Sequence, residues 1–351
     1  MTRHLPPSDD TPLSASSSAS LNAKQRPLHK IDMWNAFLYA IVDAIIYVEQ
    51  PHAFEEDSDA ICLLHKSLYD IKQAPHLWQQ YLHTVLIELG FQQLPHDQGM
   101  YCLESCGSFI LLVAYVDDLL YTRDNTELLD RSKHNIKEKL EVTIDHDVTQ
   151  FLGLNVTHTA DTIHLSAAKY AETLAKKFGT APVGITTPFR TPPPNHEPDT
   201  TPLSSGDHRP YQQQLGCLLF AAVTCRPDLS YIASQLTQYL RRPEGENMAD
   251  LQRALQYFVS TPDVSLPYKA NLTATLQLTS YVDANHVGDA DNRRSCTGFI
   301  FNLEPIGTIS WNSQKKELIT LSSAEAEFFA AIAAVREGLY LTKLLQETRW
   351  R

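Results

Sequence analysis

Two adjacent aspartates, Asp117 and Asp118, interrupt an otherwise apolar stretch, FILLVAYVDDLLYT. A polar turn between two strands is the plain structural explanation of such a pair. Flanks this apolar are expected to be buried, which fixes the turn rigidly, and two carboxylates at its tip repel each other unless a cation neutralises them. Carboxylate oxygens suit Mg²⁺, and two ions about 4 Å apart clamp the attacking and leaving oxygens of a phosphoryl transfer. A third ligand must then come from elsewhere in the chain. Asp32, in KIDMWNAFL, is the candidate at the end of a strand, and a helix N-cap is its alternative role.

A second set of carboxylates lies toward the other end. Asp283 sits in YVDANHVGDADNRRSCTGF, and Glu327 in LSSAEAEFFAAIAAV. Ser322 followed three residues later by Glu325 forms a capping box that starts a helix. Glu327 shares a stripe with Ala330, Ala331 and Ala334, a small face expected to pack on a sheet, where a carboxylate is costly unless a cation or donor meets it. A solvated glutamate on the helix surface is the alternative. Arg293 and Arg294 are candidate nucleic-acid contacts, although paired arginines are commonly just solvated.

The motifs IDMWNAFL (31–38), IYVEQP (46–51), SLYDIKQAPHLW (67–78) and YVDD (115–118) occur in this order and together closely resemble the reverse transcriptase of copia-type LTR retrotransposon polyproteins. FLGLNV (151–156), RPDLSY (226–231) and the region after Thr275 extend the likeness over about residues 27 to 350. The resemblance implies an RNA-directed DNA polymerase using Mg²⁺ or Mn²⁺, with Asp32, Asp117 and Asp118 as the metal-binding triad. It also implies that Phe37 excludes a ribose 2′-hydroxyl, that Gln73 lines the nucleotide pocket, and that FLGLNV grips the primer end. Read alone, Phe37 is simple core and Gln73 a surface amide. For the second site the resemblance implies a ribonuclease H, with Asp283 and Glu327 as metal ligands. The partners implied are an RNA or DNA template-primer, deoxynucleotides and other retroelement proteins, with no membrane.

The chain departs from the family pattern in several places. Residues 1–26 stand where the family has a basic fingers stretch, and the chain stops at Arg351, before the strand expected to bring a third ribonuclease H aspartate. Asp70 replaces the usual glycine of SLYGLKQAP, and Asn285-His286 replaces an Asp-Trp pair. Two readings therefore stay open. One is a polymerase with an incomplete ribonuclease H. The other is a catalytically inactive element remnant that binds nucleic acid or a partner chain.

These residues need elements to hold them. Periodicity predicts a strand and short helix across 31–48, a helix over 77–89 stopped by Gly90, and strands at 100–103 and 109–121. It predicts a helix over 125–139, strands at 150–156 and 162–165, and a helix over 168–178. Helices over 211–240 and 248–258, strands at 275–282, 297–302 and 308–311, and a long helix from Ser322 to about Glu347 complete the list. The expected organisation is α/β: a disordered tail (1–26), a reverse-transcriptase palm-like domain (27–184), a Pro-rich linker (185–210), a helical thumb or connection (211–270) and a partial ribonuclease H-like domain (271–351).

Composition fits a globular chain: of 351 residues, 43% are hydrophobic and 20% charged. The net charge of −12 opposes strong independent binding to nucleic acid, whose phosphates are met by Lys and Arg. Six scattered cysteines suit a reducing compartment and lack zinc-finger spacing. No signal peptide is visible, which leaves cytoplasm, nucleus or a particle interior as expected locations.

Overall fold

A computed structural model describes residues 28–54, 60–123, 126–190, 199–269, 275–285, 295–316 and 320–348. The tail, part of the Pro-rich segment and Arg293–Arg294 lie outside these residues. The chain divides into two compact units, one spanning Arg26–Val148 and the other running from Thr149 onward.

In the first unit the strands are β1 (Leu28–Met33), β2 (Tyr47–Glu49), β3 (Ile61–Leu63), β4 (Gln92–Leu94), β5 (Asp97–Ser105), β6 (Ser108–Tyr115), β7 (Asp118–Arg123) and β8 (Val142–Asp145). Six of them form one antiparallel sheet in the order β4-β5-β6-β7-β1-β8. The first described strand thus lies in the interior of the sheet, between β7 and β8. Helices α1 (Ala74–Glu88) and α2 (Thr126–Lys139) contribute to its core. Ile31, Met33, Trp78, Leu86, Ile110, Leu112, Leu119, Leu129 and Ile136 are buried together there.

The β6 run Phe109–Val113 is buried at every position, whereas β1 alternates, with Ile31 and Met33 inside and Asp32 exposed. Because side chains alternate along a strand, Lys30 and Asp32 share the face opposite that core. The helix α1 begins three residues before the sequence-predicted start, with proline in its first turn, where a missing N–H costs nothing. Gly90 (φ 89°) ends it as expected.

Asp70 lies in the left-handed region at φ 69°, the conformation that its departure from the family glycine anticipated. Asp70→Gly is expected to leave the fold unchanged and raise stability by up to about 1 kcal/mol, and Asp70→Val to lower it by about 1–2 kcal/mol. Denaturant midpoints measure both; a stabilised valine variant would contradict the backbone argument.

The second unit holds β9 (Gln150–Phe151), β10 (Leu154–His158), β11 (Thr162–Ser166), α3 (Ala168–Phe178), α4 (Ser205–Thr224), α5 (Ser230–Thr237), α6 (Gly245–Ser260) and β12 (Ser265–Lys269). They are followed by β13 (Gln277–Asn285), β14 (Cys296–Glu304), β15 (Gly307–Lys315) and α7 (Ser323–Glu347). Strand β12 was not anticipated, having Pro267 in its middle. It joins β11 to make a four-stranded sheet in the order β12-β11-β10-β9. Strands β13-β14-β15 form an antiparallel meander on which α7 packs. The fold is α/β as expected. Among the described residues no helix is long and apolar enough to cross a membrane.

The cap of α7 follows the sequence in one half only. Ser322 Oγ accepts from Glu325 N at 3.1 Å, but the Glu325 carboxylate takes its return bond from Leu321 N, one residue earlier than a capping box requires. The buried stripe of this helix is Ala326, Ala330, Ala334, Leu341 and Leu344. Glu327 and Ala331, expected on the packed face, are exposed instead. The i, i+4 row that meets the sheet begins one position earlier than the sequence pattern suggested, which turns Glu327 by about 100° toward solvent.

Candidate carboxylate site of the first unit

The aspartate pair occupies the tip of the β6–β7 hairpin. Tyr115 pairs with Asp118, so Val116 and Asp117 are the two turn residues. Val116 takes φ 50°, a conformation β-branched residues rarely adopt. Two bonds hold it there: Trp78 Nε1 donates to the Val116 carbonyl at 2.8 Å, and Met33 N donates to the Asp117 carbonyl at 2.9 Å. Trp78 is itself buried at 1% exposure, so the turn is tied to the core through α1.

Asp32 lies directly across from Asp118 in the antiparallel β1–β7 pairing. The third aspartate, remote in sequence, thus stands beside the hairpin tip, and the strand order of the sheet is what puts it there. Burial, followed by the negative charges of Asp118 and Asp32, pushes the Asp117 carboxyl above its ordinary value. Its buried Oδ1 has no hydrogen-bond partner. Lys30, which the sequence reading did not single out, reaches both neighbours: its Nζ lies 2.7 Å from Asp118 Oδ1 and 3.4 Å from Asp32 Oδ2. The two-residue spacing of Lys30 and Asp32 on a strand was the available signal for a shared face. Partial burial opposes the charged ammonium, but hydrogen bonding and charge from the two aspartates prevail and raise its pKa.

Phe37 sits in the short 3-10 segment Ala36–Tyr39, which follows Asn35 in the left-handed region at φ 53°. Trp34 N bonds to the Glu141 carbonyl at 3.0 Å, and Glu141 N to the Tyr39 hydroxyl at 2.8 Å, which fix this segment beside β8. Half-buried Phe37 meets Tyr69 edge to face, with centroids 4.8 Å apart. Slight desolvation and the Asp117 charge raise the Tyr69 phenol, so Tyr69 and the carboxylates share one electrostatic neighbourhood. Gln73 stands exposed at the N-cap of α1, with no capping bond from its side chain.

This donor set fits a hard divalent cation by its chemistry, since three carboxylates gather at one edge and the buried Asp117 oxygen lacks a donor. Among the described residues, however, no three acidic, His or Cys side chains are close enough to ligate one ion together. The positive charge between Asp32 and Asp118 is that of Lys30.

In the second unit Asp283 is exposed on β13 opposite Gly298, and Glu327 is exposed on α7. Lys316 donates to the Ala326 carbonyl and lies over the Phe329 ring at 5.6 Å. Burial lowers the pKa of its ammonium, while the charge of Glu327 acts in the opposite sense.

A profile of the reverse transcriptase (RNA-dependent DNA polymerase) family matches residues 17–191. The retrovirus-related Pol polyprotein from transposon RE2 of Arabidopsis thaliana is 33% identical over 92% of this chain and 22% of its own length. The Ty5-1 transposon protein of Saccharomyces cerevisiae is 33% identical over 88% of this chain and all of its own length (100%). The chain thus spans about a fifth of the polyprotein and the whole of the yeast protein. A crystal structure of prototype foamy virus protease-reverse transcriptase aligns over 95% of this chain and 58% of that chain, at 10% identity and a TM-score of 0.30. That likeness is too slight to bear on the fold.

Proposed function

This chain belongs to the copia-type retrotransposon reverse transcriptases, and from that premise we propose that the carboxylates at the β6–β7 tip serve nucleotidyl transfer: a primer 3′-hydroxyl attacks the α-phosphorus of a deoxynucleotide, releasing pyrophosphate. The observation that carries this reading is the pairing of Asp32 opposite Asp118, with Asp117 beside them at the hairpin tip.

Asp32, Asp117 and Asp118 would hold Mg²⁺ or Mn²⁺, which when bound supplies charge neutralisation at the phosphate and activates the attacking oxygen. The chain's own contribution is positional. The Trp78 and Met33 bonds fix the backbone of the tip from which Asp117 and Asp118 project. Phe37, backed by Tyr69, would stand against the sugar of the incoming nucleotide and exclude a 2′-hydroxyl, and Gln73 would line the nucleotide pocket. Asp283 and Glu327 would bind metal in a ribonuclease H site.

The test is primer extension on RNA and DNA templates with Mg²⁺ or Mn²⁺. The unaltered chain is expected to incorporate nucleotides, and Asp32→Asn to lose at least about a hundredfold. Equal incorporation by both would remove Asp32 from the site. A second reading, an inactive remnant that binds nucleic acid or a partner chain, draws on the net charge of −12 and on Lys30 occupying the carboxylates. Absence of incorporation under every condition would favour it.

A further inference from the structure

Polymerase chemistry at this site leaves Lys30 without a task. Its side chain is only 19% exposed, and its ammonium reaches diagonally from β1 to a carboxylate on β7 while also touching the one on its own strand. Like charges directly opposite each other across an antiparallel pair destabilise it, and Asp32 and Asp118 are such a pair. Asp117, in the adjoining turn, adds a third negative group. A cation between Asp32 and Asp118 offsets that repulsion, and in this geometry the cation belongs to the protein.

We propose that Lys30 is the resident counter-cation of Asp32 and Asp118, displaced when a divalent ion takes those carboxylates, so that Lys30 sets the affinity of the site for that ion. The inference rests on the metal-binding reading above. An ammonium 2.7 Å from Asp118 Oδ1 competes with an ion that needs the same oxygen at about 2.0–2.1 Å. Two cations a few ångströms apart repel each other as well. The flexible four-carbon stem of lysine lets the head swing away without moving the strand. The same arrangement accounts for three acidic side chains that adjoin one another but are not drawn together into a ligand set. Lys30 would therefore weaken metal binding while keeping the β1–β7 pairing stable when no metal is bound.

Mn²⁺ titration of the full chain, followed by the loss of the free-ion paramagnetic resonance signal, tests this without relying on activity. Lys30→Gln is expected to bind Mn²⁺ at least about tenfold tighter than the unaltered chain. Its thermal midpoint without metal should be lower, and Mn²⁺ should raise it by more. Lys30→Arg, which keeps the charge, should stay close to the unaltered chain. If the glutamine variant does not fold, Lys30→Met, with a comparable apolar stem, takes its place. Unchanged or weaker Mn²⁺ binding in the neutral variants, with Asp32→Asn still abolishing binding, overturns the role of Lys30 and leaves the metal site standing. Failure of every chain, the unaltered one included, to bind Mn²⁺ overturns both.

Discussion

Asp117→Asn is expected to abolish primer extension, by at least about 10²–10³-fold, while the protein keeps its fold and gains stability near neutral pH. Loss of activity follows from removing one of the proposed charged ligands at the tip, where the amide would offer a single neutral oxygen to a cation. The gain in stability follows from the same geometry. The Asp117 carboxyl is raised above its ordinary value of 3.8 in the folded chain by burial and by Asp118 and Asp32. A raised acid binds its proton more tightly when folded, so its contribution is stabilising below the ordinary value and is lost as pH rises through the folded one. Asparagine never ionises, so its advantage should be absent in acid and appear above that window.

Unfolding midpoints at pH 3 and pH 7, set beside the extension assay, would read both effects. An asparagine variant that polymerises would remove Asp117 from the chemistry. One that unfolds at pH 7 would show that the charged carboxylate has a structural partner. Lost function with gained stability is the signature of a group held in place against its own preference.

The largest loss of stability is expected at Arg226, in the RPDLSY motif of the second unit. Its guanidinium is buried at 1% exposure. It meets Asp228 at 2.7, 2.9 and 3.2 Å, the Thr261 carbonyl at 3.1 Å and the Thr261 hydroxyl at 2.8 Å. The rings of Tyr257 and Phe258 flank it at 5.3 Å, and the Tyr257 hydroxyl donates to Asp228 at 2.9 Å. One residue thus joins the end of α4, the turn before α5 and the end of α6. Arg226→Ala takes the donor from the Thr261 carbonyl and hydroxyl and from the part-exposed Asp228 carboxylate, leaves a cavity beside Tyr257 and Phe258, and is expected to cost about 2–4 kcal/mol, of which Arg226→Met, filling that space, should recover part.

The pH dependence should invert with the first substitution. Burial by itself would raise the Asp228 carboxyl, but the bonds and charge of Arg226 and the Tyr257 hydroxyl outweigh it and hold it below 3.8. The intact pair is therefore stabilising above that value and loses its contribution as pH falls through the lower folded one. Without Arg226 only burial and weaker donors remain, the carboxyl rises, and the variant should lose stability as pH increases past about 4. Chemical denaturation at three pH values distinguishes the two slopes. A loss under about 1 kcal/mol would mean that the cluster is dispensable.

Much of this protein was written locally. Ser322 and Glu325 announced the start of α7, Gly90 the end of α1, and the apolar flanks of Asp117–Asp118 a buried hairpin; each depends on residues within a turn or two of one another. The alternation KIDM around Asp32 likewise set which face of β1 each side chain takes. Tertiary structure alone decided the rest. Strand β1 is the first among the described residues yet lies between β7 and β8, so the facing of Asp32 and Asp118 is a matter of strand order, which no local period records. The bond from Trp78 to the turn and the reach of Lys30 across two strands depend on that order as well. Strand β12 found its partner far upstream, and the rotation of α7 that exposes Glu327 was set by the sheet it packs on. Periodicity tells a chain which of its faces are apolar, but only packing against a distant segment chooses what each face will meet.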